Sequence, residues 1–547
     1  MSEMTAGSQA AYIVAGVANF KPPPAWAQAS AGGGKGLEEF WESGKLKELY
    51  GEELLWTGFD RLVGEARRQG IDISRTTTIS VAVSYPHELA QMTEDEVAED
   101  FRRRLAQSEH GHLFRQKPRI RCTPTHAASA SGIVPYNEAL ADLLERGEEM
   151  SMLVAGGNTK GTNRNRARIS PAETTAIFAS LVSSFDQKYA KANMLKLGAA
   201  ALGRAYQHDF DLIKALERFV YQQRLFTHEM ARQGHSTAHV TTHPDEIEDR
   251  TIFTPLKLGC TGPQSLGYAG LILSRQPPPG GRAVRIVGIG CGVDASSIRD
   301  RESHLFSKAM ASAVTTALGQ ARIPALSGLK ILEHHNPYPA VPLTELRVLL
   351  EALGYRGGVT QALLKNDVGV HGTLIKAGRS GGAQAGHAIT PTFIRLVWET
   401  AKQLQGVGGY PPLELGEGEV AYAGVSSVGG HHTFDGYTFL ACGQPGDLAR
   451  APSHVAPFDH DGFNVKAERD LETQDALSAV EVPAGMTVAF ITYQDTKGGR
   501  EYFGLARTPD GRDYPFAGSP ELFARLLGTA YIGTPIRLSG TLQALGG

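Results

Sequence analysis

The stretch from Arg121 to Asn158 constrains this chain more than any other: RCTPTHAASASGIVPYNEALADLLERGEEMSMLVAGGN. It reads as a strand over 119–124, a small-residue turn at His126–Gly132, a helix over about 132–146 and a second strand over 151–156. Two strands joined through a helix lie parallel, so the pattern calls for an α/β sheet. Small residues at such an elbow leave a side chain exposed beside a helix N-terminus, whose free N–H groups point at whatever binds there. The same construction presents nucleophiles in several enzyme classes. No Cys sits in this elbow, so Ser129 and Ser131 are its candidate nucleophiles, and a serine needs a neighbouring base.

Alternation of strand and helix runs through the rest of the chain. AAYIVAGVANF (10–20) and TTTISVAVSY (76–85) read as strands, and helices are expected over 46–69 and 94–107. After Asn158 the alternation stops. Residues 158–250 are polar, with helical segments near 188–206, 209–219 and 219–233, and read as an inserted lid. A strand closes this half near 275, and QPPPGGR (276–282) reads as a linker. The second half, 283–443, repeats the order: a strand at AVRIVGIGCGV, a helix over 304–323, a strand at LKILE and a helix over 343–353. A Gly-rich loop, a helix at about 390–405 and a strand–turn–strand unit over 419–443 complete it. Residues 444–547 change character, with short β segments and DG/GG turns, and predict a small separate barrel-like domain.

Bulk properties exclude several classes. The 547 residues carry a net charge of −3 without a basic block, which argues against nucleic acid as the main partner. Cys122, Cys260, Cys291 and Cys442 lie far apart without CxxC spacing, as expected of reduced thiols in a cytoplasmic protein. The first residues lack a basic region followed by an apolar core, and no apolar run is long enough to span a membrane. GIGCGV (288–293) lacks the following acidic residue of a dinucleotide site, so no nucleotide cofactor is expected.

Four motifs, in this order and spacing, resemble the thiolase superfamily over roughly residues 10–443, and in particular its SCP-2-thiolase-like branch. SASG (129–132) with its helix and LVAGGN is similar to the nucleophile loop CxSG; TPLKLGCTGPQSLGYAGLIL (254–273) is similar to a conserved-strand segment of that family. EHHNPYP (333–339) resembles the HDCF or NEAF loop, and GTLIKAGRSGGAQAG (372–386) resembles the loop containing GHP. The tail resembles the extra C-terminal domain of thiolase-like proteins. The resemblance implies a five-layered αβαβα fold of two similar halves with an inserted helical lid, and a homodimer or a heterodimer with a thiolase-fold partner. It implies acyl transfer or condensation on an acyl-CoA or related thioester, with coenzyme A as substrate or carrier and no other cofactor.

The departures are specific. Ser129 stands where the family has its nucleophilic Cys, Arg379 where it has the activating His, and Ser427 where many members have a second Cys. His335 and Asn336 keep the positions that hold the thioester oxygen. A guanidinium stays protonated, so Arg379 is no base and is expected instead to anchor a carboxylate, phosphate or thioester oxygen. Candidate bases are His335, His431 and His432, with His431 expected to serve Ser129. Three readings stay open: a Ser–His acyl transfer, an enzyme using His335 and His431 as acid and base without a covalent step, and a non-catalytic subunit in which Ser129 only caps its helix. Arg164 and Arg166 in TNRNRARIS (162–170) are either solvated surface or contacts to CoA phosphates, and Gly378 and Gly382 shape the loop expected to bind the carrier. Adjacent residues of a strand face opposite ways, so His334 and His335 share no metal. His371 and His387 read as hydrogen-bonded loop residues.

Overall fold

The computed structural model describes residues 10–21, 51–84, 93–122, 128–158, 182–208, 210–233, 251–262, 265–304, 306–323, 328–354, 367–370, 373–451, 453–459, 479–496 and 499–545. Its centre is one mixed sheet built from two copies of the same strand arrangement. The first half supplies β1 (Ala11–Lys21), β2 (Thr76–Val83), β3 (Arg119–Cys122) and β4 (Met150–Asn158). A short ribbon, β5 (Thr251–Phe253) and β6 (Leu256–Lys257), stands apart from the sheet, and β7 (Leu266–Ser274) ends the half. The second half supplies β8 (Ala283–Val293), β9 (Leu329–Glu333), β10 (Asp367–Val370), β11 (Thr373–Ala377), β12 (Ala421–Gly429) and β13 (Phe434–Gly443).

The sheet order is β10-β11-β9-β12-β13-β8-β1-β7-β4-β2-β3. Each half pairs its first strand antiparallel with its last, β1 with β7 and β8 with β13. The last strand then pairs antiparallel with β4 or β12, which is followed by two parallel neighbours. The halves meet where β1 pairs β8, with Ala11 opposite Ile286 and Ile13 opposite Val284.

Helices cover both faces. In the first half these are α1 (Gly51–Arg68), α2 (Glu94–Gln107) and α3 (Ile133–Leu144). The insertion contributes α4 (Ser184–Ala190), α5 (Met194–His208) and α6 (Phe210–Arg232). The second half has α7 (Lys308–Ala321), α8 (Ala340–Ala352) and α9 (Thr390–Gln405). In α1 the buried Leu55, Phe59, Leu62, Val63 and Ala66 recur at helical spacing and form one apolar stripe. Alternation along the strands divides the core in two. Leu153, Leu271 and Leu273 join α3 and α9 in an inner cluster, while Met152, Val154 and Ile272 face the outer helices. All twelve residues of α3 are buried, including Glu138 and Asp142. Arg121 pairs with both, and Arg119, Arg146 and the Ser151 hydroxyl also bond to Asp142. The glycines of GIGCGV form a bed for α7: side chains at Gly288, Gly290 or Gly292 would run into the carbonyls of Ala317, Ala313 and Ala309.

Two sequence expectations change. The two helices expected over 209–233 are one continuous α6. After α10 (Pro445–Arg450), β14 (Thr487–Thr496), β15 (Gly499–Arg507) and β16 (Asp513–Phe516) form a three-stranded antiparallel sheet covered by α11 (Pro520–Leu527). β17 (Arg537–Leu538) and β18 (Ala544–Leu545) add a ribbon. Thr487 of β14 bridges Pro535, and Ala517, just past β16, bridges Gln543, so the ribbon joins both edges of the sheet. The tail does not stand apart: Phe490, Phe503 and Leu505 pack with Leu197 and Ala200 of α5, while Phe185 and Ala190 of α4 enter the tail core. The tail therefore sits on the inserted helices. None of the four cysteines is in a disulfide. Among the described residues no helix is long and apolar enough to cross a membrane, and no group of three or more His, Cys, Asp or Glu is arranged to hold a metal ion.

Candidate active site

The elbow is a 3-10 turn, Ala128–Gly132, that runs directly into α3. Ser131 is buried, whereas Ser129 is half-buried at the seam between the halves. Glycine is required at 132 because a side chain there would meet the Thr390 carbonyl at the start of α9. No side chain caps α3, so its N-terminal dipole favours negative charge beside the elbow.

Ser129 Oγ lies 3.0 Å from His387 Nε2. His387 belongs to the other half, just ahead of α9, and residues of the first half hold it there. Ser265 N–H donates to the His387 carbonyl (3.1 Å), and the Ser84 hydroxyl donates to the Ala388 carbonyl (3.1 Å). Ile389 sits at φ 66°, which costs a β-branched residue on the order of 1–3 kcal/mol. These cross-half contacts sustain that strain beside the histidine.

A third group completes the arrangement. His335 Nε2 lies 3.2 Å from His387 Nε2. The ring centroids are 5.2 Å apart and the planes 23° from parallel. A short N···N contact with widely separated centres is an edge-to-edge approach. The tautomers follow from the partners. Val428 N–H donates to His335 Nδ1 at 3.0 Å, so the proton of this neutral ring is on Nε2 and points at His387. His387 Nε2 then carries a lone pair, and its proton is on Nδ1. The contact this tautomer gives up is the longest of the set, Ile389 N–H to His387 Nδ1 at 3.3 Å. The Ser129 hydroxyl and the His335 N–H thus compete for one lone pair.

Electrostatics keep both rings neutral. Burial pushes His387 down to about 4, with the Arg395 guanidinium acting the same way. Burial pushes His335 well below the ordinary histidine range, and its neighbour His387 adds to this. His387 keeps part of its surface exposed while His335 has none, so solvent reaches the pair from the His387 side. On the opposite strand face, His334 Nδ1 is 2.6 Å from Glu345. Burial works against its charged form, but Glu345 outweighs it and the pKa is raised. Glu345 also accepts from the Ser426 hydroxyl (2.8 Å), which accepts His335 N–H (2.9 Å).

The other expected site residues lie elsewhere. His431 is not the partner of Ser129: its Nδ1 is 3.2 Å from the Tyr338 hydroxyl and its ring 5.0 Å from that of His304, centre to centre. The tight turn at 430–433 draws it there, with Arg301 bonded to the His431 carbonyl. His432 Nδ1 pairs with Asp435 at 3.0 Å. The Asn336 amide donates to Gln223 of α6, and its Oδ1 is buried without a hydrogen-bond partner. Gly378 and Gly382 adopt positive φ (63° and 53°) and lie against Gln223 and Asn336, where any side chain would collide. They seat the lid helix on the loop. Arg379 lies over the Phe226 ring of α6, 5.9 Å from its centre. The Ser427 hydroxyl is buried without a hydrogen-bond partner. Arg164, Arg166 and His371 lie outside the described residues.

His387 is the residue the sequence reading passed over as a loop histidine. A signal for it existed in the internal duplication. The 3-10 turn Gly382–Ala385 precedes α9 as Ala128–Gly132 precedes α3, so the approach to α9 is the counterpart of the serine elbow.

No family model and no curated relative matches this chain. Solved structures do. A monomeric SCP2-thiolase-like protein type 1 from Mycobacterium smegmatis superposes with a TM-score of 0.58 at 11% identity, covering 98% of this chain and 99% of that one. The dimeric peroxisomal thiolase of Saccharomyces cerevisiae gives 0.49 at 13% identity, over 79% and 97% of the two chains. Human mitochondrial 3-ketoacyl-CoA thiolase gives 0.48 at 13%, over 80% and 99%.

Proposed function

This chain has the thiolase fold, and on that frame we propose an acyl transferase acting on acyl-CoA or a related thioester, with Ser129 as nucleophile and His387 as its base. The observation that carries the reading is the 3.0 Å contact between Ser129 Oγ and His387 Nε2 across the seam of the halves. Ser129 Oγ attacks the thioester carbonyl while its proton passes to His387 Nε2. That nitrogen then no longer accepts from His335. The His335 Nε2–H is released toward the carbonyl oxygen, where negative charge develops. Collapse of the tetrahedral adduct expels the CoA thiolate and leaves an acyl ester on Ser129; His387 gives its proton to the thiolate.

A second reading is favoured by the lid. Asn336 is occupied by Gln223, and no carboxylate supports either imidazole among the hydrogen bonds described. On that basis the chain would bind a thioester and hand it to a partner without covalent chemistry. Intact-mass measurement separates the two. Incubation with acetyl-, octanoyl- and palmitoyl-CoA should give an acyl adduct or CoA release that disappears in Ser129→Ala. Tight CoA binding with neither adduct nor release supports the second reading.

A further inference from the structure

We infer that the acyl group on Ser129 leaves to water, making the chain a hydrolase of acyl thioesters; this rests on the acyl-serine proposed above. The first argument is the leaving group. A thiol attacking an acyl-serine forms a tetrahedral adduct holding one sulfur and one serine oxygen. A thiolate, with the thiol pKa near 8.5, is a far better leaving group than an alkoxide, so that adduct reverts to the acyl-serine. Transfer from thioester to Ser129 is therefore favoured over return to a thiol. Water meets no such obstacle, because its adduct contains only oxygen leaving groups.

The second argument is the base. His387 is free again once the thiolate has taken its proton, and it can then activate a water beside the acyl-serine. Among the described residues at the seam, His387 Nε2 supplies one lone pair. His335 offers none: its Nδ1 accepts Val428 N–H and its Nε2 carries the proton. The third argument is access. Ser129 and His387 are the members of the cluster that keep solvent exposure, while His335, Asn336 and Ser427 have none.

The step balances. Water gives a proton to His387 Nε2 as its oxygen bonds the acyl carbon. The adduct collapses by breaking the bond to Ser129 Oγ, which recovers the proton from His387. The product is a carboxylic acid, ionised at neutral pH, which makes the step irreversible. Nothing else is consumed.

The test uses the full chain with octanoyl-CoA in water enriched in ¹⁸O, together with isotopically labelled free CoA. We expect octanoate carrying one ¹⁸O per turnover and no label in octanoyl-CoA, with CoA release falling roughly a hundredfold or more in Ser129→Ala. Ser129→Cys restores a thiolate leaving group, so it should gain label exchange into octanoyl-CoA and lose hydrolysis relative to wild type. Label exchange by wild type through an adduct on Ser129, without octanoate, would overturn the hydrolytic step while leaving the acyl-serine intact. Absence of release, adduct and exchange in wild type would overturn both.

Discussion

Acylation of Ser129 should be nearly independent of pH from about 5 to 8, because its base is unprotonated throughout. Burial and the Arg395 charge hold His387 down to about 4. One pH unit above that value only about a tenth of the rings carry a proton, and at pH 6.5 about 0.3% do. An ordinary histidine would be half protonated at pH 6.5, and the rate would halve there. The low pKa also has a cost, since a base matched to neutral pH transfers protons more effectively. Absolute rates should therefore be modest. Replacing the base, His387→Gln, should still lower acylation at pH 7 by roughly 10²–10⁴-fold, about 3–5 kcal/mol in the barrier. The assay is rapid-quench intact mass with octanoyl-CoA, and circular dichroism at each pH establishes that the fold persists. A rate that halves near pH 6.5 would refute the buried neutral base. Unchanged acylation in His387→Gln would remove His387 from the mechanism, whatever the pH profile.

Three further outcomes are expected. Burial holds His304 down to about 4 against an ordinary 6.5, so the unfolded chain binds its proton first; its share of stability is fully present above 6.5 and about 3 kcal/mol of it is lost as pH drops to 4, read as the difference between the urea midpoints of wild type and His304→Gln across that range. Asp142 is fully buried beside Arg121, Arg119, Arg146 and Ser151, but Arg119 and Arg146 keep solvent and Arg121 keeps Glu138, so Asp142→Ala should cost about 1–3 kcal/mol in chemical denaturation. A side chain at Gly203 runs into the Phe490 ring, so Gly203→Leu should loosen the tail from α5 at a cost of about 1–3 kcal/mol, read as faster proteolysis of the tail.

Local patterning carried much of the architecture. Strand–helix alternation marked nearly every strand of the central sheet, and α2 runs over Glu94–Gln107, the span its amphipathic pattern predicts. Repetition of that order announced two halves, and the strand pairings are duplicated in the same sequence. The serine elbow was legible because small residues between a strand and a helix are a local signal. Tail packing was not, since Phe490 finds α5 nearly 290 positions earlier in the chain and no periodicity encodes that contact.

The candidate site divides the same way. By itself the sequence determined that a serine stands at the elbow, that Arg379 cannot be its base, and that the imidazoles lie in the second half. Which imidazole meets the serine was decided by the tertiary structure. Ser129 and His387 are 258 residues apart and face each other only because α3 and α9 enter the seam side by side. Equally, His335 is fixed as a proton donor by a backbone N–H on a neighbouring strand, and His431 is carried away by the turn that bears it. Side-chain identity is local information, but a proton's position depends on partners that only the folded chain brings within 3 Å.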